Sequence, residues 1–163
     1  MRQPFFLALL VCSFITKAQN NPLEKFRPLV GKTWEADGKW GDGSSFKQSI
    51  TFRFDLENTL VIASSKGFVD TNQKTIGNRN HGIRQYDKTS NSMRFWEFDV
   101  FGGVTEGTVE FEDKDIVYTY KYGESIVTDY WQYVDENTYN FTVGSRENGE
   151  WKQKYLETKF LAK

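Results

Sequence analysis

Hydrophobic and polar residues alternate along most of this chain, most clearly between Ser45 and Asp55. In that segment the even-numbered residues are mainly aromatic or aliphatic, while every odd-numbered residue is polar or charged. A two-residue period is typical of a β-strand with one buried and one solvated face. From Thr33 onward no stretch shows the 3.6-residue period of an amphipathic helix, so the pattern predicts an all-β domain.

Turns rich in glycine, aspartate and asparagine divide this pattern into ten predicted strands. Short turns pair successive strands antiparallel, and an open meander of this length would leave its two edge strands unpaired. Closing the sheet removes those edges, so we predict a closed antiparallel up-and-down β-barrel of about 8–10 strands. The predicted strands span residues 32–40, 45–55, 59–69, 82–88, 92–100, 103–112, 115–122, 125–134, 138–146 and 150–161.

Two segments outside the predicted strands differ from them in their residue pattern. Residues 23–30 follow Pro22 and predict a short N-terminal helical plug for one end of the barrel. Residues 70–80 form the longest polar connection, between the third and fourth predicted strands. Long loops at a barrel mouth often carry function, and a solvated connection without function is the alternative.

The first eighteen residues differ in pattern from the rest of the chain. Arg2 supplies a positive start, residues 5–15 are apolar, and Thr16 and Ala18 are small. This order is typical of a secretory signal peptide, and we expect cleavage before Gln19. The apolar stretch is shorter than the roughly 20 residues that a membrane-spanning helix needs, so we expect no transmembrane segment in the mature protein.

Residues 1–18 are therefore the predicted signal peptide and residues 19–163 the predicted barrel domain of a periplasmic or secreted protein. Loss of Arg2 and Lys17 with the signal peptide changes the formal net charge from −1 to −3. This slight negative charge is not the basic surface of a nucleic-acid-binding protein, so we predict no nucleic-acid partner. The only cysteine, Cys12, is lost as well, which excludes thiol chemistry and cysteine-bound metals in the mature domain.

A resemblance to a known family rests on four short motifs. Gly31-Lys32-Thr33-Trp34 stands at the head of the first predicted strand, where lipocalins and their relatives carry a Gly-x-Trp that is one residue shorter. Residues 86–87, 95–99 and 102–103 resemble the pattern of bacterial lipocalin-like proteins of unknown function, in the calycin superfamily. The resemblance implies a barrel that holds a small apolar ligand, with Gly31 and Trp34 at the barrel floor.

An inward Trp34 also sets the orientation of the first predicted strand. Ala36, Gly38 and Trp40 then point inward with it, while the intervening residues, all polar or charged, point to water. A shift of one residue would reverse this arrangement and bury the charged side chains.

A barrel of this size either fills its interior with side chains or keeps a cavity for one small ligand. Aromatic residues make up 17% of the chain, and rings with polar edges suit an amphipathic ligand. We predict that a small apolar or amphipathic molecule is bound by Trp40, Arg84, Trp96, Tyr120 and Trp131. Arg84 is expected to reach the polar end of the ligand, because a guanidinium presents paired donors to a carboxylate.

Alternatives to this interpretation remain open at the level of sequence. The aromatic rings could pack against one another as a filled core. The charged residues inside predicted strands, among them Arg84, Glu97 and Asp129, could face solvent or neutralise one another.

His81 is the only histidine, and it limits the chemistry of the protein. A histidine-rich metal site cannot be built from one residue, and a Ser-His-Asp triad would have to use this one. At the predicted junction of the polar loop and the fourth strand, a single histidine is usually a solvated residue. We therefore predict no catalytic residue, no metal site and no cofactor.

Three functions follow as hypotheses. The first is an exported lipocalin-like binding protein for a small apolar or amphipathic molecule. The second is a filled barrel that acts through its surface as an interaction or envelope module, and the third is an enzyme that uses the cavity. A cavity larger than about 300 Å³ distinguishes the first hypothesis from the second.

Overall fold

In the computed structural model, which describes residues 21–163, ten antiparallel strands close into a barrel. Each strand pairs with its neighbours in sequence, and β1 pairs with β10 to close the sheet. This confirms the predicted up-and-down barrel, whereas the predicted signal peptide lies outside the described residues. The strands are β1 Thr33–Lys39, β2 Ser45–Asp55, β3 Leu60–Phe68, β4 Ile76–Asp87, β5 Ser92–Asp99, β6 Val104–Glu112, β7 Asp115–Tyr122, β8 Ser125–Asp135, β9 Thr138–Glu147 and β10 Glu150–Ala162.

The predicted plug is a 3-10 helix, Pro22–Leu29, at the end of the barrel that we call the floor. Asn21 caps this helix by accepting a hydrogen bond from the backbone N–H of Leu23 at 3.1 Å. The Asn21 amide also donates to the carbonyl of Asn58 at 2.8 Å, which ties the helix to the β2–β3 turn. Leu23, Phe26 and Leu29 are buried, so the apolar side of the helix covers the barrel interior.

The opposite end, which we call the mouth, carries the β1–β2, β3–β4, β5–β6, β7–β8 and β9–β10 connections. The prediction of a polar loop over residues 70–80 was wrong in its second half, because β4 begins at Ile76. Polar residues such as Asn78 and Asn80 pair there with β3 across a bulge between Ser65 and Lys66. The residues of this half-strand do not alternate between polar and apolar, which is why the pattern did not predict it.

The remaining connection, residues 69–75, is short and held by its own side chains. The Asp70 carboxylate accepts hydrogen bonds from the backbone N–H groups of Asn72 and Lys74, at 2.9 and 3.2 Å. The Gln73 side chain accepts from the backbone N–H of Ser45 and donates to its carbonyl, each at 2.9 Å. These bonds fix the loop against the start of β2.

Apolar side chains fill the floor half of the barrel. The ring of Trp131 stacks on Phe160 with centroids 4.2 Å apart, and it meets Tyr139 and Phe141 edge-on. The predicted orientation of β1 is confirmed, because Trp34 and Ala36 are buried and Trp40 packs against the same core. Among residues 21–163, no helix has both the length and the apolar character needed to cross a bilayer.

The barrel closes along a narrow line of contact between β1 and β10, which we call the seam. Strand pairing there joins Trp34 to Ala162 and Glu35 to Leu161, and an isolated bridge joins Trp40 to Leu156. Between these points the Thr158 hydroxyl donates to the carbonyl of Asp37 at 2.5 Å. The seam is therefore held partly by a side chain where the regular ladder is interrupted.

Candidate functional site

A cavity of about 300 Å³ lies inside the mouth half of the barrel. This volume is at the lower limit of the range that small-molecule sites occupy. Six aromatic side chains form its apolar walls: Trp40, Phe46, Phe52, Phe95, Trp131 and Phe141. The interior is therefore filled at the floor and left open towards the mouth.

A second recess, of about 290 Å³, adjoins this cavity at the mouth. It shares Trp40, Phe46 and Arg79 with the cavity, and the β3–β4 loop contributes three more lining residues, Asp70, Thr71 and Gln73. The two spaces are therefore neighbours at the mouth of the barrel. The hypothesis that this loop stands at a functional opening is consistent with its place in the fold.

Polar side chains from four strands meet on one side of the cavity, and we call them the polar cluster. β4 contributes one, β5 one, β7 two and β8 one. Its members are Arg84, Glu97, Tyr118, Tyr120 and Asp129.

The guanidinium of Arg84 is the most deeply buried part of the polar cluster. Its Nη2 donates to the Glu97 carboxylate and its Nε donates to the Tyr118 hydroxyl at 3.2 Å, while Nη1 is buried without a partner. Gly82 makes room for this group, because a Cβ at that position would lie 2.1 Å from Nη1. An ion pair in this setting costs much of its attraction in lost hydration.

The carboxylate of Asp129 has a different environment. It is half-buried and accepts a hydrogen bond from the Tyr120 hydroxyl at 3.0 Å. Burial raises the pKa of Asp129 to about 7, and although the Tyr120 hydrogen bond opposes this rise, the negative charge of Glu97 adds to it. Burial and the Asp129 charge also raise the pKa of Tyr120. Asp129 can therefore gain or lose a proton near neutral pH.

The structure brings four of the predicted ligand-binding residues together and leaves out one. Trp40, Arg84, Tyr120 and Trp131 line the cavity. Trp96 was expected to point inward with them, and this orientation was wrong.

Trp96 points to the outer surface of β5. Its Nε1 donates to the Glu106 carboxylate at 2.9 Å, and the Arg94 guanidinium lies over its ring at 5.2 Å. Its sequence neighbours Phe95 and Glu97 occupy the inward positions. Phe95 packs against Tyr118, with ring centroids 5.1 Å apart, so the inward aromatic position on this strand is one residue earlier than predicted.

Glu97 and Asp129 are cavity residues that the sequence analysis did not assign to the site. The signal for Asp129 was present, because it lies two residues before Trp131 and therefore faces the same side of β8. The sequence left two alternatives for the charged residues, exposure to solvent or mutual neutralisation. Arg84 and Glu97 neutralise one another inside the barrel.

The predicted floor residues lie where the resemblance placed them, below the cavity. Gly31 has a backbone φ of 80°, a left-handed conformation suited to the turn between the helix and β1. Trp34 is fully buried, its Nε1 donates to the carbonyl of Leu29 at 3.0 Å, and its ring meets Tyr139 edge-on. This arrangement closes the floor with one indole and the helix.

His81 is exposed on the outer face of β4, where its register partners are Ser64 and Phe98. It therefore stands apart from the polar cluster and cannot act on a molecule in the cavity. Within the part of the chain that the structure describes, no group of three or more histidine, cysteine, aspartate or glutamate residues is arranged to hold a metal ion.

The sequence comparisons with known proteins found no match, so the fold is the main evidence for what this chain resembles. No protein-family model matches this chain, and no curated protein matches it in sequence. A closed antiparallel barrel of ten strands fits a calycin or lipocalin-like fold in general.

Proposed function

We propose that this protein is a lipocalin-like binding protein that takes one small amphipathic molecule into the cavity at the mouth. The observation that carries the proposal is an unfilled space with aromatic rings on its walls and the polar cluster on one side. The apolar part of the ligand would lie against Trp40, Trp131 and Phe141. Its polar part would meet the side chains of Glu97 and Asp129.

The energetics of the polar cluster support a functional role. Apolar residues of similar volume often replace a buried ion pair at little or no cost in stability. The Nη1 of Arg84 adds a buried donor with no acceptor, which costs roughly 1–3 kcal/mol. A barrel selected for stability alone would fill this region with apolar side chains, as its floor half does. We infer that the cluster is kept for what it binds.

The proposal also places the protein outside the cytoplasm, on the strength of the pattern in residues 1–18. Native mass spectrometry of protein recovered from its own host tests both parts in one measurement. We expect a polypeptide mass that begins near Gln19, together with a second species heavier by one small molecule. A chain that retains Met1 would contradict export.

Displacement of a fluorescent dye tests the cavity directly. A naphthalene-type dye should bind the mature protein and quench its tryptophan fluorescence. Thr105 lines the cavity, so Thr105→Trp should fill the space and abolish dye binding. Thr108→Trp is the matched control, because Thr108 is exposed on the outer face of the same strand. Equal dye binding by both variants would contradict the proposed site.

A second candidate function is an interaction or envelope module that acts through its surface. The observation that favours it is an apolar rim at the mouth, where Val100, Phe101 and Tyr122 are 50%, 54% and 72% exposed. A contiguous exposed apolar surface often marks a contact with another molecule. If the dye fails to bind the wild-type protein and no small molecule copurifies with it, this function replaces the first.

A further inference from the structure

The charges around the cavity are unequal. Five charged side chains line it: the arginines Arg79 and Arg84 and the carboxylates Glu97, Asp99 and Asp129. Both arginines already have partners within the protein, and the one nitrogen of Arg84 without a partner, Nη1, is buried. Arg84 is paired with Glu97, while Arg79 donates to the carbonyl of Phe68 at 2.8 Å and lies over the ring of Phe101.

The carboxylates are more accessible than the cation deepest in the cavity. The Arg84 side chain is 5% exposed, whereas that of its partner Glu97 is 17% exposed. Asp129 is half-buried, and its one hydrogen bond comes from a neutral hydroxyl, that of Tyr120. A molecule that passes Arg79 at the mouth therefore meets carboxylate oxygens with unused acceptor positions before it reaches the guanidinium of Arg84.

This inference rests on the proposed function and names the ligand class. We infer that the polar end of the ligand is a protonated amine, which lies beside Asp129 with the apolar body against the aromatic walls. An ammonium group supplies the donors that Asp129 and Glu97 lack, and it is attracted to the faces of nearby rings. A ligand carboxylate would be repelled by both residues. This inference is an alternative to the expectation that Arg84 receives a ligand carboxylate.

The same arrangement makes amine binding depend on pH. The charged groups around Asp129 are Arg84 from β4 and Glu97 from β5, with Arg79 and Asp99 nearer the mouth. Arginine stays protonated throughout the neutral range.

Burial raises the pKa of Tyr118 and of Tyr120, so both hydroxyls are neutral in the same range. Asp129 is the group that changes charge, because its pKa lies near 7. An alkylamine keeps its proton up to about pH 10, as lysine does. Amine affinity should therefore rise as Asp129 loses its proton, between about pH 5.5 and pH 8.5.

Three probes with one apolar body test this inference: phenylbutylamine, phenylbutanol and phenylbutyrate. Calorimetric titration of the mature protein at about pH 8.5 should give the amine about tenfold higher affinity than the alcohol, and the acid lower affinity than the alcohol. At about pH 5.5 the advantage of the amine over the alcohol should fall to about threefold or less. The alcohol serves as the uncharged reference at both pH values.

Asp129→Asn should remove the preference for the amine over the alcohol. Asp37→Asn is the matched control, because Asp37 is exposed on the outer face of β1, and it should keep the wild-type order of affinities. The pH comparison on the wild-type protein asks the same question without a substitution, should Asp129→Asn fail to fold.

The outcomes separate this inference from the function on which it rests. If the acid binds as tightly as the amine, or if Asp129→Asn keeps the preference for the amine, the inference is overturned while the binding function stands. If none of the three probes binds and the dye does not bind either, the binding function itself is overturned.

Discussion

At the floor of the barrel the inward-facing side chains are aromatic or aliphatic, whereas at the mouth they include two arginines and three carboxylates. Trp34, Phe26 and Phe160 have essentially no exposed surface. Arg84, on the same inner surface, is also buried, but it carries a full charge and a donor without a partner. Both regions belong to one continuous sheet, and the strands pass from one to the other.

This difference indicates a division of tasks along the barrel axis. Close packing of rings at the floor contributes stability, because burial of apolar surface is the dominant favourable contribution to folding. The polar cluster costs part of that stability and creates a space whose chemistry can recognise a molecule. Substitutions at the two ends should therefore have effects of different size and different pH dependence.

The largest effect is expected at the floor. Trp34→Ala should lower the free energy of unfolding by about 3–5 kcal/mol, because it leaves a cavity under the helix and removes the hydrogen bond to Leu29. Urea denaturation monitored by far-UV circular dichroism measures this. Trp96→Ala is the matched control on the outer face and should cost about 1 kcal/mol or less. A loss below about 1 kcal/mol for Trp34→Ala would show that the floor does not depend on this residue.

A smaller effect is expected when the ion pair of the polar cluster is broken. Glu97→Leu leaves the Arg84 guanidinium buried and unpaired, and should cost about 2–4 kcal/mol. Adding Arg84→Met to this variant should recover most of that loss, because the unpaired charge is removed as well.

The Arg94–Glu106 pair on the outer face provides the control for this cycle. Its atoms are 3.4 Å apart and both side chains are exposed, so Glu106→Leu should cost less than about 1 kcal/mol. If the double variant at Arg84 and Glu97 is less stable than Glu97→Leu alone, the ion pair contributes to stability and the division of tasks is wrong.

The smallest effect, and the most specific one, concerns Asp129. Between the usual aspartate pKa of 3.8 and the folded value of about 7, the folded state holds a proton that the unfolded state has lost. The free energy of unfolding should therefore fall as pH rises through this window. Asp129→Asn removes that fall, so its stability relative to wild type should be greater at about pH 8.5 than at about pH 5, by about 2–3 kcal/mol. Urea denaturation at the two pH values measures this change, and an equal difference at both would refute the assignment.

The sequence predicted most strands of the barrel to within a few residues, because alternation is strong wherever one face is buried. The segment Ser45–Asp55 and the inward set of Trp34 and Ala36 are examples. The prediction failed at the start of β4, since residues 76–81 there are mostly polar and line up with β3 through backbone pairing. Backbone hydrogen bonds do not depend on side-chain type, so these residues form a strand without the alternation of polar and apolar residues that would predict one.

The candidate site was only partly predictable for a related reason. Phe95 and Trp96 are adjacent aromatic residues, and strand alternation alone cannot say which one points inward. The answer depends on the register of β5 with β4 and β6, which places Glu97 inside beside Arg84. A pattern that treats charged residues as solvated also hides Asp129. Which of these side chains meet inside the barrel depends on the three-dimensional arrangement of the strands.

The seam between β1 and β10 has a consequence for how the molecule is made. Every other strand pair joins neighbours in sequence, and such contacts form quickly because little chain must be ordered. The seam joins Trp34 to Ala162, so it cannot form until the last residues of the chain are present. We expect the growing chain to form an unclosed meander first. The molecule has no closed interior until β10 pairs with β1.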